Sequence, residues 1–174
     1  MARRQARGVQ GVPSAFLLRL NRQALANIVV EGGSEPDRVE AVRAVHASSR
    51  VQRAPFCAVD STRDLETLMR ALQCWLGHGV GASPIHCPGG TLYVEDPGAL
   101  PPLAQRLLVA LAERLELQME PRSDGEAPTR LAAGSAGPLE EDVIHGRLHA
   151  GLHDALDKFR LRLGTKSTRS REVG

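Results

Sequence analysis

Aromatic side chains are nearly missing from this sequence: 174 residues include one Trp, one Tyr and three Phe. Any core must therefore be assembled mainly from Leu, Val and Ala, and with 42% hydrophobic residues the chain can bury one of useful size. That length suits one domain and would crowd two. Lysine is almost as scarce, since Lys158 and Lys166 are the only two among 22 basic residues. We read the arginine excess as coding bias and not as a nucleic-acid surface, and a net charge of +2 adds no pull toward a polyanion. Three cysteines, Cys57, Cys74 and Cys87, are too few for a disulfide framework and suit a reducing compartment. No apolar run approaches the length of a membrane span, and the basic N-terminus lacks the apolar stretch of a leader. The expectation is a cytoplasmic protein that makes no membrane contact.

Basic residues gather at both ends, at Arg3, Arg4 and Arg7 and again at Lys158, Arg160, Arg162, Lys166, Arg169 and Arg171. They read as solvated tails. The expected organisation is a flexible basic segment over 1–12, one folded domain over 13–164 and a flexible basic tail over 165–174.

Between those ends, strand-length and helix-length patterns alternate. Phe16, Leu17, Leu20 and Leu25 give a short amphipathic helix over Ser14–Ala26, followed by an apolar strand at Asn27–Val30. Helical periods return over Asp37–Ser49, Asp64–Leu76, Pro101–Leu117 and Leu139–Leu156. Strands are expected at Pro55–Val59, Thr91–Val94, Leu131–Ala133 and Phe159–Leu163, the last with Phe159, Leu161 and Leu163 on one face. Gly77–Gly90 is rich in Gly, Pro and His and reads as a surface loop, and Glu120–Pro128 as a polar connection. Five strands separated by helices predict an α/β fold, a three-layer αβα sandwich around a mostly parallel sheet. In such folds ligands sit at the carboxyl ends of the strands.

One junction is more specific. Ile28-Val-Val-Glu-Gly-Gly-Ser-Glu-Pro-Asp-Arg-Val39 has the frame of a phosphate-binding loop, a β-branched strand running into glycines and then a helix. A working loop of the form G-x-x-x-x-G-K-[ST] wraps phosphates in backbone N–H groups, with a Lys on the terminal phosphates and a hydroxyl on magnesium. Aligned on Gly32, the second glycine is Asp37, the lysine is Arg38 and the hydroxyl residue is Val39. Glu35 adds a carboxylate and Pro36 removes an N–H. Each carboxylate near a polyphosphate would cost roughly 1–4 kcal/mol at surface-like dielectric. The same residues make a good helix start: Ser34 as N-cap, Asp37 three positions on, and Glu35 and Pro36 in the first turn.

From about Ala26 to Leu163 the chain resembles the central AAA+ domain of bacterial sigma-54-dependent transcription activators, the sigma-54 interaction domain. Gly32 to His46 aligns without a gap to the family's G-E-S-G-T-G-K-E-x-x-A-R-A-I-H and keeps Gly32, Ser34, Arg43, Ala44 and His46. Pro55-Phe-Cys-Ala-Val-Asp60 resembles P-F-V-x-V-N. Gly89-Gly-Thr-Leu-Tyr-Val-Glu-Asp96, followed by Leu100-Pro-Pro-Leu-Ala-Gln105, resembles G-G-T-L-F-L-D-E and L-P-x-x-x-Q. Arg130 onward tracks the family's R-I-I-A-A-T-N-R-D-L-E-E, with Leu139-Glu-Glu141 and Gly146-Arg147 kept.

The resemblance implies a P-loop NTPase fold whose relatives form rings, bind ATP between subunits and use a G-A-F-T-G-A loop to remodel the sigma-54 form of RNA polymerase. Measured against it, the working positions of this sequence depart together. The Walker A residues are replaced as described, and the Walker B pair is reversed to Glu95-Asp96. The sensor Thr-Asn corresponds to Ser135-Ala136. The arginine-finger positions fall at His149 and Ala155, and the polymerase loop is reduced to Leu76–Ala82. The helical lid over adenine and any helix-turn-helix are expected to be missing.

Losing one arginine finger costs about 10³–10⁵ in rate. The expectation is therefore no catalytic residue and no ATPase activity, with ATP and magnesium disfavoured as cofactors. The vestigial nucleotide site would comprise Gly32, Gly33, Ser34, Arg38, Glu95 and Asp96. Expected partners are proteins: a related AAA+ subunit, the sigma-54 polymerase or a signalling protein, with no direct DNA contact. The alternative is a regulatory switch that still binds ATP or ADP weakly.

Two further constellations carry ligand chemistry. His145, His149 and His153 recur every four residues and would share a helix face, with Asp154 and Asp157 nearby. Cys74, His78, His86 and Cys87 offer a Cys₂His₂ set across the glycine-rich loop. Neither spacing matches a defensible metal site, so no metal is expected. Cys57 reads as a small core residue, and Glu95 and Asp96, adjacent on a strand end, are expected to point to opposite faces.

Overall fold

The computed structural model describes residues 26–117 and 126–164. The helix expected over 14–26 lies almost wholly outside them, as do the basic residues before 26 and after 164 and most of the 120–128 connection. Lys158, Arg160 and Arg162 are described and are no solvated tail, since they pair with Glu116 (3.0 Å), Asp157 (2.8 Å) and Glu31 (3.2 Å). The described residues form five strands: β1 (Ile28–Gly32), β2 (Phe56–Asp60), β3 (Thr91–Glu95), β4 (Arg130–Ser135) and β5 (Phe159–Leu163). Five α-helices accompany them: α1 (Glu35–Ala47), α2 (Leu65–Trp75), α3 (Pro102–Glu116), α4 (Leu139–Ile144) and α5 (Ala150–Leu156). The sheet runs β2-β3-β4-β1-β5 with every pair parallel. The expected three-layer αβα sandwich is what forms. No helix among the described residues is long and apolar enough to cross a membrane.

Strand alternation distributes the core to two faces. Val29, Leu92, Val94, Leu131 and Ala133 join Leu68 and Leu72 of α2, Leu108 and Leu111 of α3, Leu139 of α4 and Leu152 of α5 in the larger apolar layer. Ile28, Val30, Tyr93, Ala132 and Leu161 turn the other way, where α1 packs on them with Ala41, Val42 and Val45. Phe159 and Leu163 pack on that same side, so the face predicted for β5 is observed.

The one misjudged element is the helix expected over Leu139–Leu156. It is two helices, broken at His145–His149. Gly146 takes a left-handed φ of 70° there, and Leu148 turns in to 3% exposure. The break is held by buried Gln105 of α3: its Nε2 donates to the carbonyls of Leu100 (2.8 Å) and Arg147 (2.7 Å), and its Oε1 accepts from the His149 N–H (2.7 Å). Satisfying two backbone groups of the break, with the amide anchored on Leu100, outweighs continuing one helix.

α1 starts as its sequence dictates. The Asp37 N–H donates to Ser34 Oγ at 3.3 Å, the Ser34 N–H donates to Asp37 Oδ2 at 3.2 Å, and Pro36 sits in the first turn where its missing N–H is harmless. Ser34→Ala and Asp37→Ala should each lower unfolding free energy by about 0.5–2 kcal/mol. Because both remove one reciprocal motif, the double variant should lose less than the sum, which urea denaturation of all three variants will read.

Candidate functional site at the carboxyl ends of the strands

The loop from β1 to α1, the end of β3 and the end of β4 meet at one place, and its centre is Arg38. This residue belongs to the first turns of α1, yet it is 4% exposed because its side chain folds back over the loop it follows. Nη1 donates to the carbonyl oxygens of Gly32 (3.1 Å) and Gly33 (2.8 Å). Nε donates to Glu95 Oε2 at 3.3 Å, and Nη2 pairs with Glu95 Oε1. Both glycines have positive φ, 81° and 62°. The guanidinium thus spends three of its nitrogens on two backbone carbonyls and one carboxylate.

Glu95 is equally enclosed, at 6% exposure. Its Oε2 also accepts from the hydroxyl of Tyr93, two residues back on the same strand face. Gly134 on β4 leaves the room for this pair: a Cβ there would lie 1.8 Å from the Tyr93 hydroxyl and 2.6 Å from Glu95 Oε2. Burial and the neighbouring carboxylate push the Tyr93 hydroxyl well above the ordinary tyrosine range. For Arg38, burial pulls the guanidinium down, but the hydrogen bond and charge of Glu95 outweigh it and the net shift is upward.

Asp96 corrects an expectation. Alternation would send it to the face opposite Glu95, but it has already left the strand, with a left-handed φ of 51° and its N–H donating to Gly134 O at 2.8 Å. Glu95 and Asp96 consequently line the same cleft, about 490 Å³ in volume, together with Arg38, Ser135, Asp142 and Arg147. Asp142 pairs with Arg147. Although Asp96 as a whole is exposed, its carboxyl is partly desolvated where it faces the cleft, which raises its proton affinity, and the charges of Asp142, Glu95 and Asp60 raise it further.

The remaining loop residues are also engaged. Ser34 is held by Asp37, and Glu35, on the first turn, pairs with Arg63 at 2.7 Å. Of the expected site residues, Gly32, Gly33, Arg38 and Glu95 converge on one another, Asp96 joins them across the cleft, and Ser34 is committed to its helix cap.

Three buried groups escaped sequence reading. Glu31, at 4% exposure, accepts from the Leu139 N–H at 3.0 Å and from Arg162 Nε at 3.2 Å, tying α4 and β5 to β1. Tyr93 looked like one more apolar strand residue. Arg130 is fully buried on Thr91 Oγ1 and Ser49 Oγ, and burial lowers its pKa to about 10. The available signal was an acidic residue inside the run Ile-Val-Val-Glu; for the arginine and tyrosine there was none without the fold.

Neither proposed metal set assembles. His145 closes α4, His149 caps α5 by accepting from the Gly151 N–H, and only His153 lies within a helix, so the stripe does not share a face. Among the described residues Glu140, His153 and Asp157 do place ligand atoms within 4.8 Å of one another. The Arg160 guanidinium already occupies that group, pairing with Glu140 and with Asp157 (2.8 Å) and lying 3.3 Å from His153 Nε2. The cysteine and histidine residues around the glycine-rich loop form no such group either.

No family model matches the sequence. The Transcriptional regulatory protein ZraR of Klebsiella oxytoca is 29% identical over 166 residues, which is 86% of this chain and 37% of ZraR. The chain is thus similar in sequence to a transcriptional regulatory protein. Solved structures agree on the fold: NtrX from Brucella abortus superposes with a TM-score of 0.65 at 20% identity, over 92% of this chain and 39% of NtrX. The P-loop NTPase domain of the Sigma-54 transport activator from E. coli gives 0.55 at 18% identity, over 86% and 93% respectively. NtrX has also been solved in complex with ATP. The chain spans about two fifths of the length of the curated proteins it matches.

Charge at the strand ends sets two opposite mutational outcomes. Glu95→Gln leaves the Arg38 guanidinium buried without its counter-charge and should cost about 3–5 kcal/mol of stability. Asp96→Asn should stabilise, by less than about 1 kcal/mol because the group is exposed, since asparagine tolerates the left-handed backbone and sheds repulsion. A carboxyl whose pKa is raised by folding favours the folded state when protonated. The Asp96→Asn gain should therefore be full at neutral pH and disappear as pH falls through the range of carboxylate titration, read as Tm against pH.

Proposed function

We propose that this chain is a non-hydrolysing AAA+ domain that acts in transcription regulation as a regulatory or protein-interaction module. One observation carries the reading: the loop that would need to offer N–H groups to phosphate instead gives two carbonyl oxygens to Arg38, whose positive charge is already neutralised by Glu95. A phosphate entering here would have to separate a buried ion pair and face the carbonyl ends of the Gly32 and Gly33 peptides. Breaking such a pair costs several kcal/mol before any new contact forms. The Asp96 and Glu95 carboxylates across the cleft add repulsion.

With the strand ends committed internally, this reading leaves function to the outer surfaces of the domain. The partners this reading favours are a related AAA+ subunit, the sigma-54 RNA polymerase or a signalling protein. Kinship with transcription activators supports the regulatory setting.

Calorimetric titration of the full chain with ATP and magnesium should give no saturable heat below about 1 mM. Sub-millimolar affinity would overturn the reading in favour of a weak ATP or ADP switch. Asp37→Gly with Arg38→Lys returns the loop's second glycine and lysine. It should still release no phosphate above background in a coupled assay, and measurable turnover would refute the proposal from the catalytic side.

A further inference from the structure

Cys57 and Cys87 are thirty residues apart in sequence and belong to one small neighbourhood in the fold. Cys57 lies on edge strand β2, opposite Leu92 of β3 in the register. Cys87 precedes β3 by four residues and is brought back by a tight turn, in which the Gly90 N–H donates to the Cys87 carbonyl at 3.1 Å. The Thr91 N–H then donates to Pro55 O at 3.0 Å, which fixes this turn against the start of β2.

The thiols are placed reciprocally. Cys57 Sγ is 3.5 Å from the carbonyl oxygen of His86, the neighbour of Cys87, and Cys87 Sγ is 3.9 Å from the carbonyl oxygen of Pro55, two residues before Cys57. Both side chains pack into the larger apolar layer. Their exposure differs: Cys57 is half-buried, not the enclosed core residue its strand suggested, and Cys87 is fully buried. Burial and the adjacent Cys57 hold the Cys87 thiol well above its ordinary titration range. Cys74 shares in none of these contacts.

We infer that Cys57 and Cys87 form a peroxide-reactive pair, in which oxidation at Cys57 ends in a disulfide to Cys87. The Cys57 thiolate attacks the terminal oxygen of a hydroperoxide, the O–O bond breaks, and Cys57 becomes a sulfenic acid while the other oxygen leaves as hydroxide or alkoxide, which takes up the proton that Cys57 released on ionising and departs as water or alcohol. Cys87 sulfur then attacks Cys57 sulfur, the S–O bond breaks, and the departing hydroxide takes the Cys87 proton as water. Two thiols lose two electrons and the peroxide gains them. The division of labour follows from burial: the accessible sulfur meets the oxidant, and the enclosed one resolves the product before a second peroxide can reach it. The bridge closes a loop containing α2 and the glycine-rich segment 77–86, fastening the edge strand to the turn that enters β3.

The full chain treated with a small excess of hydrogen peroxide should lose about 2 Da, the mass of two hydrogens. Non-reducing digestion should link the peptides of Cys57 and Cys87, Cys74 should stay alkylatable, and thiol reductant should reverse the change. The bridged form should melt higher, by roughly 2–4 °C for each kcal/mol gained in a domain of this size. Cys74→Ser should behave like the parent, whereas Cys57→Ser should abolish the mass loss. Oxygen addition at Cys57 with Cys87 still free, a bridge to Cys74, or only intermolecular dimers would each overturn the pairing, and the parent protein alone suffices to show any of them.

Discussion

The Arg38 guanidinium is the hub on which the arrangement at the strand ends depends. It is a permanent charge taken almost wholly out of water, and such a charge is tolerable only when its hydrogen-bonding capacity is met. Glu95 supplies the opposite charge and the carbonyls of Gly32 and Gly33 supply the rest. Each demand fixes another part of the fold. The carbonyl contacts set the course of the loop between β1 and α1, the carboxylate fixes the end of β3, and the Tyr93 hydroxyl on that carboxylate requires a glycine at position 134. Three strands and a helix are thereby referenced to one side chain.

The same geometry explains how a strand, a glycine pair and a helix start can be organised around a cation. All three are demands of packing and of backbone conformation. What the loop holds is a cation of its own, supplied from the first turns of α1. The Ser34 and Asp37 cap completes this, because side chains and backbone near the helix start satisfy each other. In a relative of transcription activators, that combination accounts for a domain whose architecture is recognisable and whose centre is closed on itself.

Much of this was legible in the sequence. Strand positions followed from short β-branched or apolar runs, and the capping box from Ser34 and Asp37, because those signals are local. The failures are equally physical. The break between α4 and α5 is imposed by Gln105 from a distant helix, which no period within 139–156 could reveal. Opposite faces for Glu95 and Asp96 assumed that the strand continued, whereas it ends at Glu95 and Asp96 turns left-handed. The identity of position 38 was plain, but its return to Glu95 spans 57 residues and had to await the fold.

The uneven layering has a dynamic outcome. Strands β2 and β5 each pair on one side only among the described residues and have half-exposed positions along most of their length, while β1, β3 and β4 are sandwiched and almost wholly enclosed. Amide exchange should accordingly begin at these two margins and reach the middle strands only with global unfolding, since partial openings start where the fewest apolar contacts are lost. The margin of the sheet can breathe or accept a neighbour while the Arg38 hub, built on inner strands, keeps its shape.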